Sequence, residues 1–164
     1  MISEKFFRLK QLVAGLKAGD HQVDNWKKLE EIAFRACREQ DPYAKRNTES
    51  HPDILLSNSF GIECKMITRL DKDIHLNSSG PSLDVYYLIA YVNRKKIKDL
   101  ALVSGCNFYC EEIQEIKKVN TSMQNLSNPN IRYRNRIMWQ IKSPFVIWGG
   151  GSFVVDDLGC VHTC

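Results

Sequence analysis

The sequence predicts an α/β domain with a mixed central β-sheet flanked by helices. Three observations lead to this fold class: two amphipathic helix patterns near the N-terminus, four strand-like runs after them, and a third helix pattern followed by further strand-like residues. Helices and strands in this order pack as layers on one sheet. The 164 residues suffice for a single domain, 1–164, with one hydrophobic core.

The first two elements are predicted to be helices. Apolar residues spaced by three and four over residues 2–17 form one face of an amphipathic helix. Asp24 is a suitable N-cap for a second helix over about residues 25–40. Glu30 lies at the margin of its inward face, whereas Glu31 points to the opposite, solvent side. The residues of that inward face are Trp26, Leu29, Ala33, Ala36 and Cys37.

Two short strands joined by a turn are predicted next. The run DILLS, residues 53–57, is apolar after its first residue and leads into the turn-forming letters SNSFG. The run GIECKMI, residues 61–67, alternates, and side chains two positions apart project from the same face of a strand. Glu63 and Lys65 therefore share one face, while the apolar residues of the run hold the other face in the core.

The remaining elements follow from apolar runs and turn residues. LDVYYLIAYVN, residues 83–93, is apolar on both faces and rich in aromatic and β-branched residues, which is typical of a central strand. The other expectations, in chain order, are a polar loop over 68–82, a turn at 94–96, a strand over 97–110, a helix over 110–126, a strand or irregular segment over 131–142, and two strands around glycines over 144–157.

Positive charge is concentrated in one segment of the chain. The net charge is +4, and residues 1–115 carry 17 basic and 17 acidic side chains, which cancel. This asymmetry indicates a polyanionic partner, although a solvated basic face without a partner gives the same pattern. Residues 116–155 carry six basic side chains and no acidic one: Lys117, Lys118, Arg132, Arg134, Arg136 and Lys142.

The chain carries no sign of a membrane span or of export. No apolar run of about 18 residues is present, and the N-terminal residues do not resemble a secretion signal. Six irregularly spaced cysteines without such a signal indicate a reduced, cytoplasmic location. Zinc sites usually show two short, regular ligand pairs, so thiols that are buried or chemically idle are the favoured alternative to a zinc site. The possible zinc ligands are Cys106, Cys110, Cys160, His162 and Cys164.

The two short strands carry the residues with the clearest chemistry. If the strands pair through the SNSFG turn, Asp53 at the start of the first lies close to Glu63 in the second. A divalent cation relieves the repulsion between two such carboxylates, and hard oxygen ligands suit Mg²⁺. Lys65 beside them can stabilise developing negative charge or orient a water molecule. This set of groups fits phosphodiester hydrolysis. A surface ion pair between Glu63 and Lys65, without function, is the alternative.

The same residues resemble a known signature. Pro52-Asp53, nine intervening residues and Glu63-Cys64-Lys65 look like the motif of the PD-(D/E)XK nuclease superfamily, and more narrowly like that of type II restriction endonucleases. GIECKMI is similar to the second motif strand, in which an apolar residue usually precedes the glutamate. The resemblance covers roughly residues 25–110, and residues 111–164 form a basic C-terminal part.

This resemblance implies a restriction-endonuclease-like core, dependence on Mg²⁺ and double-stranded DNA as substrate. It assigns Asp53 and Glu63 to metal binding and Lys65 to positioning or activating the water. An acid on an N-terminal helix often completes the family's metal site; Glu30 matches best, and Glu49 is the second choice. A palindromic target favours a homodimer in which each subunit cuts one strand. A repair or junction-resolving nuclease on the same core and a non-catalytic DNA-binding subunit are the alternatives.

Two further segments are predicted to contact DNA. The loop after the motif strand contains LNSSGPS, which resembles a loop of some small restriction enzymes, and the basic segment contains alternating arginines that share a face when extended. A plain polar loop and a charged sheet edge are the alternatives. His51, next to the motif proline, is the histidine that can reach the site. The predicted DNA contacts are Asn77, Ser78, Ser79, Arg132, Arg134 and Arg136.

Overall fold

The structure, a computed structural model, describes residues 4–48, 51–76, 80–133 and 138–164. It confirms the predicted fold class, because a mixed seven-stranded sheet is flanked by helices. The helices are α1 (Glu4–Ala18), α2 (Trp26–Gln40), α3 (Glu111–Gln124) and α4 (Pro144–Ile147), with a 3₁₀ turn at Gly105–Asn107.

Nine strands form two sheets within the described residues. The larger sheet has the order β1-β2-β3-β5-β6-β8-β9, and β4 pairs with β7 in a separate two-stranded sheet. The β3–β5 and β6–β8 pairs are parallel, and the other pairs are antiparallel. The strands are β1 (Lys45–Arg46), β2 (Ile54–Leu55), β3 (Gly61–Ile67), β4 (Ile74–Leu76), β5 (Val85–Asn93), β6 (Lys96–Ser104), β7 (Trp139–Ile141), β8 (Phe153–Val155) and β9 (Val161–Thr163).

The larger sheet separates two apolar clusters. On one face, α1 and α2 pack over Leu88 and Leu102, and on the other face β4, β7 and α4 pack over Ile89 and Val103. Alternate residues of β5 therefore enter different clusters, as the pleat of a strand requires. This confirms the prediction that residues 83–93 contain a central strand buried on both faces. Burial of both clusters fixes the register of β3, which pairs along its whole length with β5.

The start of α2 differs from the sequence prediction by one residue. Asn25, not Asp24, is the N-cap, and its side-chain Oδ1 accepts a hydrogen bond of 3.1 Å from the amide of Lys28. Trp26 was expected on the inward face but is 54% exposed. It stands in the first turn, which lies outside the packed part of the helix, whereas Leu29 and the later residues of this face meet the core.

Three segments near the sheet edges differ from the expected elements. The polar loop over 68–82 contains β4, which is stabilised by pairing with the distant β7. A strand was expected at the start of 144–157, but a short helix forms there because Ser143 caps it, with Oγ accepting from the amide of Phe145. The C-terminal strand β9 was not predicted and extends the larger sheet by pairing with β8.

Candidate active site

The hairpin of β2 and β3 brings Asp53 next to Glu63. Ile54 pairs with Ile62 in antiparallel register, so the residue before Ile54, which is Asp53, faces the residue after Ile62, which is Glu63. Asp53 Oδ2 accepts a hydrogen bond of 2.8 Å from the amide of Cys64. This bond fixes the carboxylate against β3 and confirms the predicted approach of the two acids.

Glu63 and Lys65 are neighbours on one face of β3, as the alternation predicts. Lys65 Nζ lies 3.2 Å from Glu63 Oε1. Glu63 is buried at 2% exposure, although its side chain is ionisable. A surface ion pair was the alternative interpretation, and the burial of Glu63 is incompatible with it.

Glu30 reaches the same cluster from α2, on the inward side that the helical periodicity predicts. Its carboxyl group lies near enough to Asp53 for the two negative charges to interact, and Arg46 Nη2 lies 3.4 Å from its Oε2. Burial, followed by the negative charge of Asp53, raises the pKa of Glu30 above its ordinary value. Three carboxyl groups therefore converge on the open end of the β2–β3 hairpin.

His51 closes the cluster on the solvent side. Its Nδ1 lies 2.9 Å from Oε1 and 3.0 Å from Oε2 of Glu63. Among the described residues, His51, Asp53 and Glu63 are the group of potential metal ligands whose donor atoms all lie within 4.8 Å of one another. The sequence placed His51 near the site, but its contact with Glu63 could not be deduced, because an irregular segment has no periodicity to orient its side chains.

A cleft of about 360 Å³ opens in front of Glu63. His51 and Pro52 line one part of it, and Lys117 of α3 lines another. Lys117 was noted in the sequence only as a member of the basic segment. Its place in the cleft depends on how α3 is positioned against the sheet, and no local pattern reports that position.

Tyr87 of β5 forms a wall of the cleft and holds the loop beside it. Its hydroxyl donates to the carbonyl of Gly80 and accepts from the amide of Ser82. Burial raises the pKa of Tyr87 to about 12, with the charge of Glu63 contributing in the same direction, so the hydroxyl stays protonated and keeps both hydrogen bonds at neutral pH.

Most of the predicted DNA contacts fall outside the described residues. Arg132 is described and exposed, so its contact with DNA stays a prediction. The predicted residues that lie outside the described part are Asn77, Ser78, Ser79, Arg134 and Arg136, together with Glu49, the second choice for the metal site.

The possible zinc ligands do not come together as a site. The six cysteines are free thiols, and burial raises the pKa of Cys37 to about 12. His162 is engaged elsewhere, since its Nε2 lies 2.8 Å from Asp156 Oδ2 and its ring stacks on Phe6. Within the described part of the chain, no cluster of metal-ligating side chains includes these cysteines.

Known proteins provide no identification of this site. The chain matches no protein-family model, no curated protein and no solved structure. Within the residues that the structure describes, no helix has the length and apolar character needed to cross a membrane.

Proposed function

We propose that this protein is a Mg²⁺-dependent endonuclease that hydrolyses phosphodiester bonds in double-stranded DNA. The observation that supports the proposal is the convergence of Asp53, Glu63 and Lys65 at one end of the β2–β3 hairpin. Two carboxylates that can hold a divalent cation, with an ammonium group beside them, are a set of groups that can carry out phosphodiester hydrolysis.

The residues present fit a hard divalent cation. Asp53 and Glu63 offer carboxylate oxygens, the donors that Mg²⁺ prefers, and their donor atoms lie within 4.8 Å of each other. Glu30, whose charge interacts with that of Asp53, is the acid that the sequence predicts as a further ligand. When bound, Mg²⁺ supplies a Lewis acid that withdraws charge from a phosphate oxygen and makes water more acidic.

The chain's own groups are held in position for this chemistry. The amide of Cys64 orients Asp53, and burial restricts the rotamers of Glu63. Lys65 Nζ holds a positive charge 3.2 Å from Glu63 Oε1, where it would stabilise the negative charge that develops on a phosphate bound beside Glu63 during attack by water. Hydrolysis breaks the bond between phosphorus and the 3′ oxygen and leaves a 5′-phosphate and a 3′-hydroxyl.

The finer proposal is a sequence-specific type II restriction enzyme that acts as a homodimer. It rests on the residues of the motif strand and on the basic segment 116–155, whose charge suits the phosphates of a duplex. A repair or junction-resolving nuclease would use the same catalytic cluster but would recognise the shape of branched DNA.

The test is incubation of the purified chain with mixed plasmid DNA and Mg²⁺, followed by sequencing of the ends. We expect discrete fragments, no cutting in EDTA, and no cutting by an Asp53→Asn variant. Asp71→Asn is the matched control, because Asp71 is an exposed acid paired only with Arg69 in a surface turn.

Each other outcome points to a different conclusion. Undiminished cutting in EDTA rejects the metal mechanism. Cutting of branched but not plain duplex DNA favours the junction-resolving alternative. Retained duplex affinity without cleavage in Mg²⁺ or Mn²⁺ favours a non-catalytic DNA-binding subunit.

A further inference from the structure

We infer that the imidazole of His51 is the third protein ligand of the metal site formed by Asp53 and Glu63. This inference rests on the proposed function, since it concerns the same divalent cation. It differs from the sequence prediction, in which Glu30 completes the site, and the two assignments lead to different measurements.

The position of His51 Nδ1 carries the inference. It lies 2.9 Å and 3.0 Å from the two carboxylate oxygens of Glu63, so one nitrogen faces both oxygens at nearly equal distance. Neighbouring ligands of an octahedral cation with bonds of about 2.1 Å stand about 3.0 Å apart. The separation between nitrogen and oxygen therefore already matches the edge of a coordination shell.

The imidazole nitrogen and the carboxylate face each other, and this arrangement requires a positive charge between them. A nitrogen lone pair directed at a carboxylate is repelled unless a proton or a metal ion lies between them. A proton on Nδ1 meets this requirement with a hydrogen bond shared between the two oxygens. A cation placed between the nitrogen and the oxygens satisfies all three atoms.

Glu30 has other partners. Its Oε2 is paired with Arg46 Nη2 at 3.4 Å, whereas His51 has Glu63 as its contact in the site. The group of donor atoms within 4.8 Å of one another contains His51 and does not contain Glu30. Glu30 thus acts through Asp53, as a positioning residue.

A nitrogen ligand has a chemical consequence. Mg²⁺ strongly prefers oxygen donors, whereas Mn²⁺ and Co²⁺ accept imidazole readily. With His51 as a ligand, the site binds Mn²⁺ more tightly than Mg²⁺, and the preference falls when the imidazole is removed. With Glu30 as the ligand, the donor set is all oxygen and removal of His51 leaves the preference unchanged.

The test is pulsed electron paramagnetic resonance of the full chain loaded with Mn²⁺, together with titration of Mn²⁺ and Mg²⁺ affinity. We expect a coupling between the manganese electron spin and a directly bound imidazole nitrogen in the unaltered protein. Labelling histidine with ¹⁵N changes this coupling. His51→Gln abolishes the coupling and weakens Mn²⁺ binding by about tenfold or more. His75→Gln is the control, because His75 is exposed on β4 and contacts Gln140.

The inference is overturned by an absence of nitrogen coupling in the unaltered protein, or by a coupling that survives in His51→Gln. Loss of Mn²⁺ affinity in Glu30→Gln, with no nitrogen coupling in the unaltered protein, assigns the third ligand to Glu30. The unaltered protein provides the main measurement, so the result does not depend on whether a variant folds.

The outcomes separate this inference from the proposed function. Nitrogen coupling without DNA cleavage supports the ligand assignment and rejects the nuclease. DNA cleavage in Mg²⁺ without nitrogen coupling supports the nuclease and rejects His51 as a ligand. A chain that binds neither cation at millimolar concentration contradicts both proposals.

Discussion

Glu63 is an acid that the fold buries almost completely at the base of the cleft. Its partners are Lys65 at 3.2 Å and His51 at 2.9 Å. Removing an ionised carboxylate from water costs several kcal/mol, and an apolar residue of similar volume is often more stabilising at such a position. A buried acid at this point of the sheet is therefore costly for stability, and departures of this kind from local rules occur most often at functional sites.

Lys65 allows the sharpest residue-level prediction. Lys65→Met keeps the length and apolar packing of the side chain but removes the positive charge, so we expect cleavage to fall by about 100- to 1,000-fold. DNA affinity should change by no more than about twofold, because the charge acts mainly on the transition state. Initial rates of plasmid cleavage and a binding titration in Ca²⁺ measure the two effects.

A variant at the exposed Lys72 is the control for this substitution. Lys72→Met removes a charge of the same sign from the turn after β3 and should leave the cleavage rate unchanged. A Lys65→Met protein that cuts at the normal rate would show that the role assigned to Lys65 is wrong.

The convergence of Asp53, Glu63 and Lys65 was predictable at the residue scale, and the reason is geometric. A strand has period two, so Glu63 and Lys65 had to share a face, and a tight turn between neighbouring strands had to bring Asp53 alongside. His51 has no such constraint. It precedes Pro52 in an irregular segment, and its contact with Glu63 arises only from the folded position of that segment.

At the scale of elements, α3 is a helix with one buried residue, and its other residues are exposed or half-buried. Ile113 is its one buried residue, and its three acids lie at the N-terminal end, before Lys117 and Lys118. The acids therefore lie at the positive end of the helix dipole, which favours negative charge, and the two lysines lie further toward the C-terminal end. Of the two lysines, Lys117 lines the cleft and Lys118 is exposed.

We predict that Lys117 binds a backbone phosphate of the DNA in the cleft. Lys117→Gln, made in the inactive Lys65→Met background, should weaken duplex binding several-fold and reduce the slope of log affinity against log salt concentration by about 0.9. Lys118→Gln removes the same charge one residue away and is the matched control. Equal effects of the two substitutions would mean that α3 contributes only diffuse positive charge.

The elements missed by the sequence prediction share one physical cause. The strand β4 lies in a polar stretch and owes its existence to β7, more than sixty residues later in the chain. Periodicity is a local signal and does not report a distant partner. The helix α4 was read as a strand because its residues are apolar and β-branched, whereas the cap from Ser143 and the position of Pro144 decide its conformation.

At the scale of the whole molecule, the sheet has the larger apolar cluster on one face and the cleft, beside the smaller apolar cluster, on the other. Its larger apolar cluster lies under α1 and α2, while the cleft opens beside Glu63 and Tyr87 on the opposite face. The parallel strands β3 and β5 take part in both the larger cluster and the cleft. Alternate residues of each strand enter the larger cluster, and Glu63 and Tyr87 on the opposite face line the cleft. Binding of a ligand in the cleft therefore acts on two strands that also form the core.

This coupling predicts that a divalent cation stabilises the whole chain. A ligand at ten times its dissociation constant stabilises the folded state by about 1.4 kcal/mol. For a chain of this length, that free energy raises the melting temperature by about 3–6 °C. Scanning calorimetry in EDTA and in increasing Mg²⁺ or Mn²⁺ measures the shift.

Two acid-to-amide variants, one at the site and one away from it, test where the stabilising cation binds. In Glu63→Gln the cation loses a ligand, so the shift should nearly vanish, whereas Glu31→Gln removes an acid from the solvent side of α2 and should retain the full shift. An equal shift in both variants would place the cation elsewhere on the surface. Because unfolding separates the ligands, the shift of the unaltered protein measures binding by the cluster as the folded chain assembles it, and loss of one ligand from that cluster is enough to reduce the shift.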